Sequence, residues 1–172
     1  MNSALGKSVF SLLLIFAIVF PSPAQEVQCQ RLFISAQNEP AKQEFYNYCA
    51  NLSNRNNTQQ AYFGVATAMY AELVSNPADK LSYFSRGKDL LEKAIANDYW
   101  NEELRFLRYS VQDKAPWMLQ YHDKLDEDSY YIYQSLSTGK LNKTKAFWKI
   151  VIQFMIQSEN ISADLKSKYS QL

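Results

Sequence analysis

Two consecutive stripes of apolar side chains, each at helical spacing and parted by a proline-led turn, constrain this chain more than any other feature. From Gln59 to Val74, the residues Tyr62, Val65, Ala66, Met69, Tyr70 and Leu73 recur at i, i+3, i+4 and i+7. Such spacing lines one face of a helix, whereas a strand would scatter it over both faces. Thr58 stands where an N-cap belongs. Asn76-Pro77 then signals a fresh start, with Asn as cap and Pro at the first helical position. Leu81, Phe84, Gly87, Leu91, Ala94 and Ile95 form the second stripe, backed by Lys80, Lys88, Asp89, Glu92 and Lys93 on the solvent side. Two amphipathic helices joined by so short a turn bury their stripes against each other as an antiparallel hairpin.

The remaining segments read as helices too. Glu39 to Leu52 places Phe45, Tyr48, Cys49 and Leu52 at helical spacing. Asn101 is followed by Glu102 and Glu103, a cap with acids in the first turn that suits the helix dipole. In that helix Leu104, Leu107 and Val111 give one face, and Phe106 and Tyr109 another. Pro116 ends it and opens a short helix to Tyr121. Asp126 to Ser137 is acidic first and aromatic after, and Gly139 breaks it. Lys143 to Gln157 is apolar on most sides and reads as a buried helix, although its Ile150-Val151-Ile152 run also suits a strand. Ile161 to Tyr169 reads as a last, frayed helix. With only four glycines in 172 residues, packed helices are favoured over a turn-rich β protein. The expected fold is all-α: a bundle of about seven helices around the hairpin.

The N-terminus reads as an export signal. Met1 to Lys7 carries one side-chain cation, Ser8 to Phe20 is apolar, Pro21 and Pro23 break any helix, and Ser22 and Ala24 form a small-x-small cleavage site. The 13-residue apolar run is short of the roughly 20 needed to span a bilayer. Residues 1–24 are therefore expected to be a signal peptide and 25–172 a single helical domain, periplasmic or extracellular, with no stable membrane span after cleavage. Lys7 is the one charged side chain in the leader, so eighteen basic against seventeen acidic residues become an even balance. A nucleic-acid binder carries a basic excess, so that class is disfavoured. In an oxidising compartment Cys29 and Cys49 suggest one disulfide. Their spacing is not that of a redox-active C-x-x-C pair.

The hairpin Tyr62 to Ile95 with the helix from Asn101 resembles the tetratricopeptide-type helical repeat. Gly64 sits where the first helix needs close approach, and Gly87, Leu91 and Ala94 match the small–large–small spacing of the second. Gly64 and Gly87 are farther apart than in that repeat, and Tyr99 stands where its proline is usual. The stretch Glu103-Leu104-Arg105-Phe106-Leu107-Arg108, then Ala115-Pro116, then Asp126-Glu127-Asp128 is also similar to uncharacterised exported bacterial helical proteins. That resemblance implies an envelope location and no particular chemistry.

Few residues invite a chemical reading. His122 is the only histidine and lacks the company of a catalytic or metal site, so it is expected to be exposed and structural. The chain has no G-x-S-x-G, H-E-x-x-H or P-loop. Asp126, Glu127 and Asp128 sit where a helix begins and complement its dipole, without the glycine of an EF-hand loop. Arg105 and Arg108 share a helix face. They suit either an anion clamp or, more simply, pairing with acids of a neighbouring helix. Glu44, Glu72, Glu92 and Glu103 are spread over different helices. The Asn51, Asn56, Asn142 and Asn160 sequons read as chance in an Asn-rich bacterial chain. No cofactor and no metal site is expected.

The leading functional expectation is a non-catalytic scaffold that binds a protein or peptide in a groove lined by the helices Gln59–Val74 and Glu102–Lys114. Arg105, Arg108, Tyr109, Trp117 and Tyr121 are its candidate binding residues. One alternative is a carrier of a small hydrophobic ligand lined by Phe147, Trp148 and Tyr131. The other is an enzyme built on Arg105, Arg108 and the acidic run.

Overall fold

The computed structural model describes residues 23–142 and 145–172. The expected leader lies outside the described residues, apart from Pro23 and Ala24. The chain runs through α1 (Pro23–Ser35), α2 (Glu39–Asn51), α3 (Asn57–Tyr70), α4 (Pro77–Asn97), α5 (Glu102–Lys114), a short 3-10 turn (Trp117–Leu119), α6 (Leu125–Ser137), α7 (Ala146–Gln157) and α8 (Ala163–Tyr169). The described residues are all helix and connection, as the apolar periodicities predict, with Ile150–Ile152 in α7 rather than in a strand.

Local chemistry fixes most boundaries. Asn38, Asn56, Asn76, Asn101 and Ser162 each cap a helix by accepting backbone N–H bonds, satisfying donors the helix cannot. The cap of α3 is Asn56, not Thr58. Asn56 accepts from the Gln59 amide while the Gln59 side chain reaches back to the Asn56 N–H, a reciprocal capping box that Thr58 cannot make. The helix α6 starts at Leu125, which is buried, one residue before the acidic run.

The expected hairpin is present. Asn57 at the start of α3 donates to the Ala94 carbonyl near the end of α4 at 2.8 Å, so the two helices run antiparallel. Their crossing is at the two glycines. A Cβ on Gly87 would lie 2.4 Å from the Ala68 nitrogen and 2.6 Å from the Gly64 oxygen. One on Gly64 would lie 2.8 Å from the Leu91 nitrogen. The two backbones touch, and only hydrogen fits between them.

Around this hairpin lie two apolar clusters that share α5. The first joins α1 to α5 through Phe45, Tyr62, Val65, Leu91, Leu104 and Leu107. The second joins α5 to α8 through Phe106, Tyr109, Ile132, Val151, Met155 and Tyr169. The two faces expected of α5 thus feed different cores, and Phe33 of α1 packs against both.

One helix was not anticipated, and three further expectations are corrected. The segment after the leader is a helix, α1, whose Cys29 and Leu32 are buried. The helix α7 is not buried throughout: it covers Trp148, Val151, Ile152 and Met155 but leaves Ile150 39% exposed. The last helix is not frayed, because Tyr169 is fully buried and donates to the Ser129 carbonyl at 2.7 Å. The expected Cys29–Cys49 bridge is not formed: both are buried free thiols. Their side chains interact, which lowers Cys29 and, together with burial, raises Cys49.

Candidate functional site

The arginine pair on α5 is tied down from within. Arg105 Nη1 donates to Glu127 at 2.8 Å and to Asp128 at 2.9 Å, and its Nε donates to the Tyr99 carbonyl at 2.9 Å. Arg108 grips Asp128 with Nε at 2.7 Å and Nη2 at 2.8 Å, and reaches Glu92 at 3.1 Å. The arginines are 1% and 3% exposed, and Asp128 is fully covered. Burial opposes the charge on Arg108, but Asp128 and Glu92 outweigh it and hold the guanidinium above its ordinary pKa. Burial likewise pushes the Asp128 carboxyl up, against the pull of both guanidiniums. The Arg105 guanidinium also sits 4.1 Å from the Tyr99 ring centre and 4.7 Å from that of Tyr131. Both guanidiniums already have carboxylate acceptors, and that of Arg105 already has its aromatic faces. The arrangement is the pairing with acids of a neighbouring helix, here α6, that the sequence allows as the simpler reading of Arg105 and Arg108.

The other candidate residues do not join this pair in an open site. Tyr109 is fully buried and shares a 2.7 Å hydrogen bond with Ser158, and burial pushes its hydroxyl up to about 12. Tyr121 is buried and donates to Glu92, and burial followed by that carboxylate pushes its hydroxyl well above the usual range. Trp117 is different: it is 72% exposed and stacks on His122 at 4.0 Å. His122 is half-buried rather than exposed, because Trp117 covers its ring and its Nε2 pairs with the Ala115 carbonyl at 2.9 Å. Of the scattered glutamates, Glu103 is half-buried and accepts from Tyr62 at 2.6 Å and Gln30 at 2.9 Å, and desolvation raises its carboxyl. Among the described residues no group of His, Cys, Asp or Glu is placed to hold a metal ion. No described helix is long and apolar enough to cross a membrane.

Arg105 borders a shallow pocket with Tyr99, Trp100, Glu127, Tyr130 and Tyr131, and a roomier groove lies elsewhere. A groove of about 1050 Å³ opens at the end of the bundle where α1, α3 and α5 finish and α4 begins. Val65, Ala68 and Met69 come from α3, Phe106, Ser110, Val111 and Lys114 from α5, and Phe33 and Ile34 from α1. Ile150 and Phe154 of α7 and Met118 and Leu119 of the 3-10 turn complete it. Two helices expected to line a groove therefore do so, through their apolar residues and not through Arg105 or Arg108. Its rim is unusually greasy for exposed surface: Leu81 is 54% exposed, Met118 85% and Ile150 39%. Leu81 belongs to the apolar stripe of α4, but it lies in the second turn of that helix and stays exposed. Phe147 and Trp148 belong to the second core, and Tyr131 lies against Arg105, so these three do not line the groove. Comparison with family models, curated proteins and solved structures finds no match to this chain.

Proposed function

We propose that this chain is an exported, non-catalytic interaction protein whose end groove takes the apolar face of a protein or peptide partner. The supporting observation is the groove together with its exposed apolar rim of Leu81, Met118 and Ile150. A small ligand needs an enclosing pocket. Apolar side chains standing out along a rim gain most when a second macromolecule covers them. The closed ion network around Asp128 favours a structural role for the arginines over an enzymatic one. In this reading α3–α4 is an elongated repeat-type hairpin.

The groove is tested by panning a random peptide display library on the chain and measuring captured peptides by fluorescence anisotropy. Peptides with spaced apolar anchors are expected, and their affinity is expected to fall at least about tenfold for Leu81→Asp with Ile150→Asp. Both sites are exposed, so the fold tolerates them. No enrichment, or equal binding to that variant, refutes the proposal. A fatty acid that binds where no peptide does makes the groove a ligand carrier instead.

A further inference from the structure

Three of the most exposed large side chains meet in the shallow pocket beside Arg105. Trp100 is 66% exposed, Tyr130 51% and Tyr99 40%. The pocket holds about 650 Å³ between the turn that joins α4 to α5 and the outer side of α6. Its rings are fixed in place. The Tyr99 hydroxyl donates to Glu127, and the Tyr131 hydroxyl donates to the Trp100 carbonyl at 2.9 Å. The Trp100 ring stands edge-on to Tyr99 with centres 5.0 Å apart, and its centre is 5.7 Å from that of Tyr131. The buried Arg105 guanidinium braces all three, 4.1 Å from the Tyr99 ring centre, 4.7 Å from Tyr131 and 5.8 Å from Trp100. Aromatic side chains so fixed lose little freedom when a ligand settles on them, and an exposed apolar patch gains by being covered.

The charges and polar groups narrow the class of ligand. A cation would have to share its rings with Arg105, which already lies over three of them. An anion would meet Asp126 and Glu127. A neutral ligand remains. Glu127 is taken up by Tyr99, Arg105 and Lys124. Asp126 is exposed and makes no hydrogen bond or ion pair among the described residues, so it stands ready to accept. The Gln134 amide donates to the Tyr130 hydroxyl at 2.6 Å, which leaves the Gln134 side-chain carbonyl as an acceptor and the Tyr130 O–H as a donor. Asp126, Tyr130 and Gln134 follow one another at four-residue steps, hence in a row along α6. A flat aromatic platform beside a row of mixed donors and acceptors matches a pyranose ring. Such a ring has an apolar C–H face and a girdle of hydroxyls, each able to give and accept. A polyproline segment also packs on aromatic rings, but its prolines bring carbonyls and no N–H, so Asp126 and Gln134 would find no donor.

We propose that this pocket binds a neutral saccharide, one sugar ring lying on Trp100 with its hydroxyls on Asp126, Tyr130 and Gln134. Unlike an apolar ligand, a sugar keeps its outer hydroxyls in water, so a shallow platform holds it. The pocket shares no lining residue with the end groove, and the two sites act independently.

The test probes the chain on an array of immobilised neutral and acidic glycans, then titrates the captured oligosaccharide against it by saturation-transfer NMR. Neutral glycans are expected to bind in preference to uronate-containing or sialylated ones. Trp100→Ala is expected to weaken binding by about tenfold or more, and Asp126→Asn by about threefold. Both side chains are exposed, so helical circular dichroism is expected to stay unchanged, and if one variant unfolds the other still decides. Trp117→Ala removes the other exposed indole and leaves saccharide binding as it was. Leu81→Asp with Ile150→Asp also leaves it as it was, so the pocket and the groove fail separately. No binding to any glycan overturns the proposal, as does a preference for acidic glycans or equal binding by Trp100→Ala. Capture of a proline-rich peptide that depends on Trp100, with no glycan bound, overturns it in favour of a peptide site.

Discussion

Asp128 holds three donors from two arginines in a place water does not reach. Removing its charge takes from two buried guanidiniums the buried counter-ion they share and leaves each only a part-exposed glutamate, Glu127 or Glu92, which costs far more than a surface pair returns. Asp128→Asn is expected to destabilise the chain by about 3–5 kcal/mol in urea unfolding at neutral pH. Arg105→Lys is expected to destabilise it without changing groove binding, because lysine lacks the planar fork. Glu127 is a milder case, since its side chain is 40% exposed. Hydrogen bonds from Lys124, Tyr99 and Arg105 lower its carboxyl to about 2. A depressed folded pKa gives stability that is complete above the ordinary carboxylate range and is lost as pH falls towards 2. The stability gap between wild type and Glu127→Gln should therefore be flat above about pH 5 and shrink below it, as read from thermal melts over an acid series. The pairing partners of these arginines were legible only as a type. Nothing in the spacing of residues 105, 108 and 128 says which acid meets which cation, because that depends on how α5 and α6 cross.

At the scale of elements, capping and periodicity carried far. The starts of α2, α4 and α5 follow from Asn38, Asn76 and Asn101 with their neighbouring proline or acids. The glycines were legible as small residues at close-approach positions, but not as partners, since 23 residues separate them in the chain. In space each faces the other helix's backbone. Gly87→Ala forces α3 and α4 apart against backbone atoms and is expected to cost about 3 kcal/mol or more. Gly64→Ala, with slightly more room, should cost less, and chemical unfolding of the two variants ranks them. The helix α1 was missed for a physical reason. Its apolar residues 29, 32 and 33 make only a short stripe, and they follow directly on a segment with the pattern of a cleaved leader.

For the whole molecule, the all-α class was readable because nearly every segment had the same period and few glycines interrupted it. The groove was only half readable. Its two long walls, α3 and α5, follow from their stripes, but its rim depends on where neighbouring helices end. Leu81, Met118 and Ile150 are apolar in sequence and exposed only because no other element reaches them. The central helix α5 carries a consequence in time as well as in space. Its own sequence is rich in charge, and it is covered on nearly all sides. It cannot enter an apolar interior until α6 delivers Asp128 to its arginines. The α3–α4 hairpin has no such debt, since its contacts are near in sequence and its glycines need no counter-ion. Assembly is therefore expected to begin at the hairpin and to close on α5 and α6 last. In stopped-flow experiments Gly87→Ala should mainly slow refolding, and Asp128→Asn should mainly hasten unfolding.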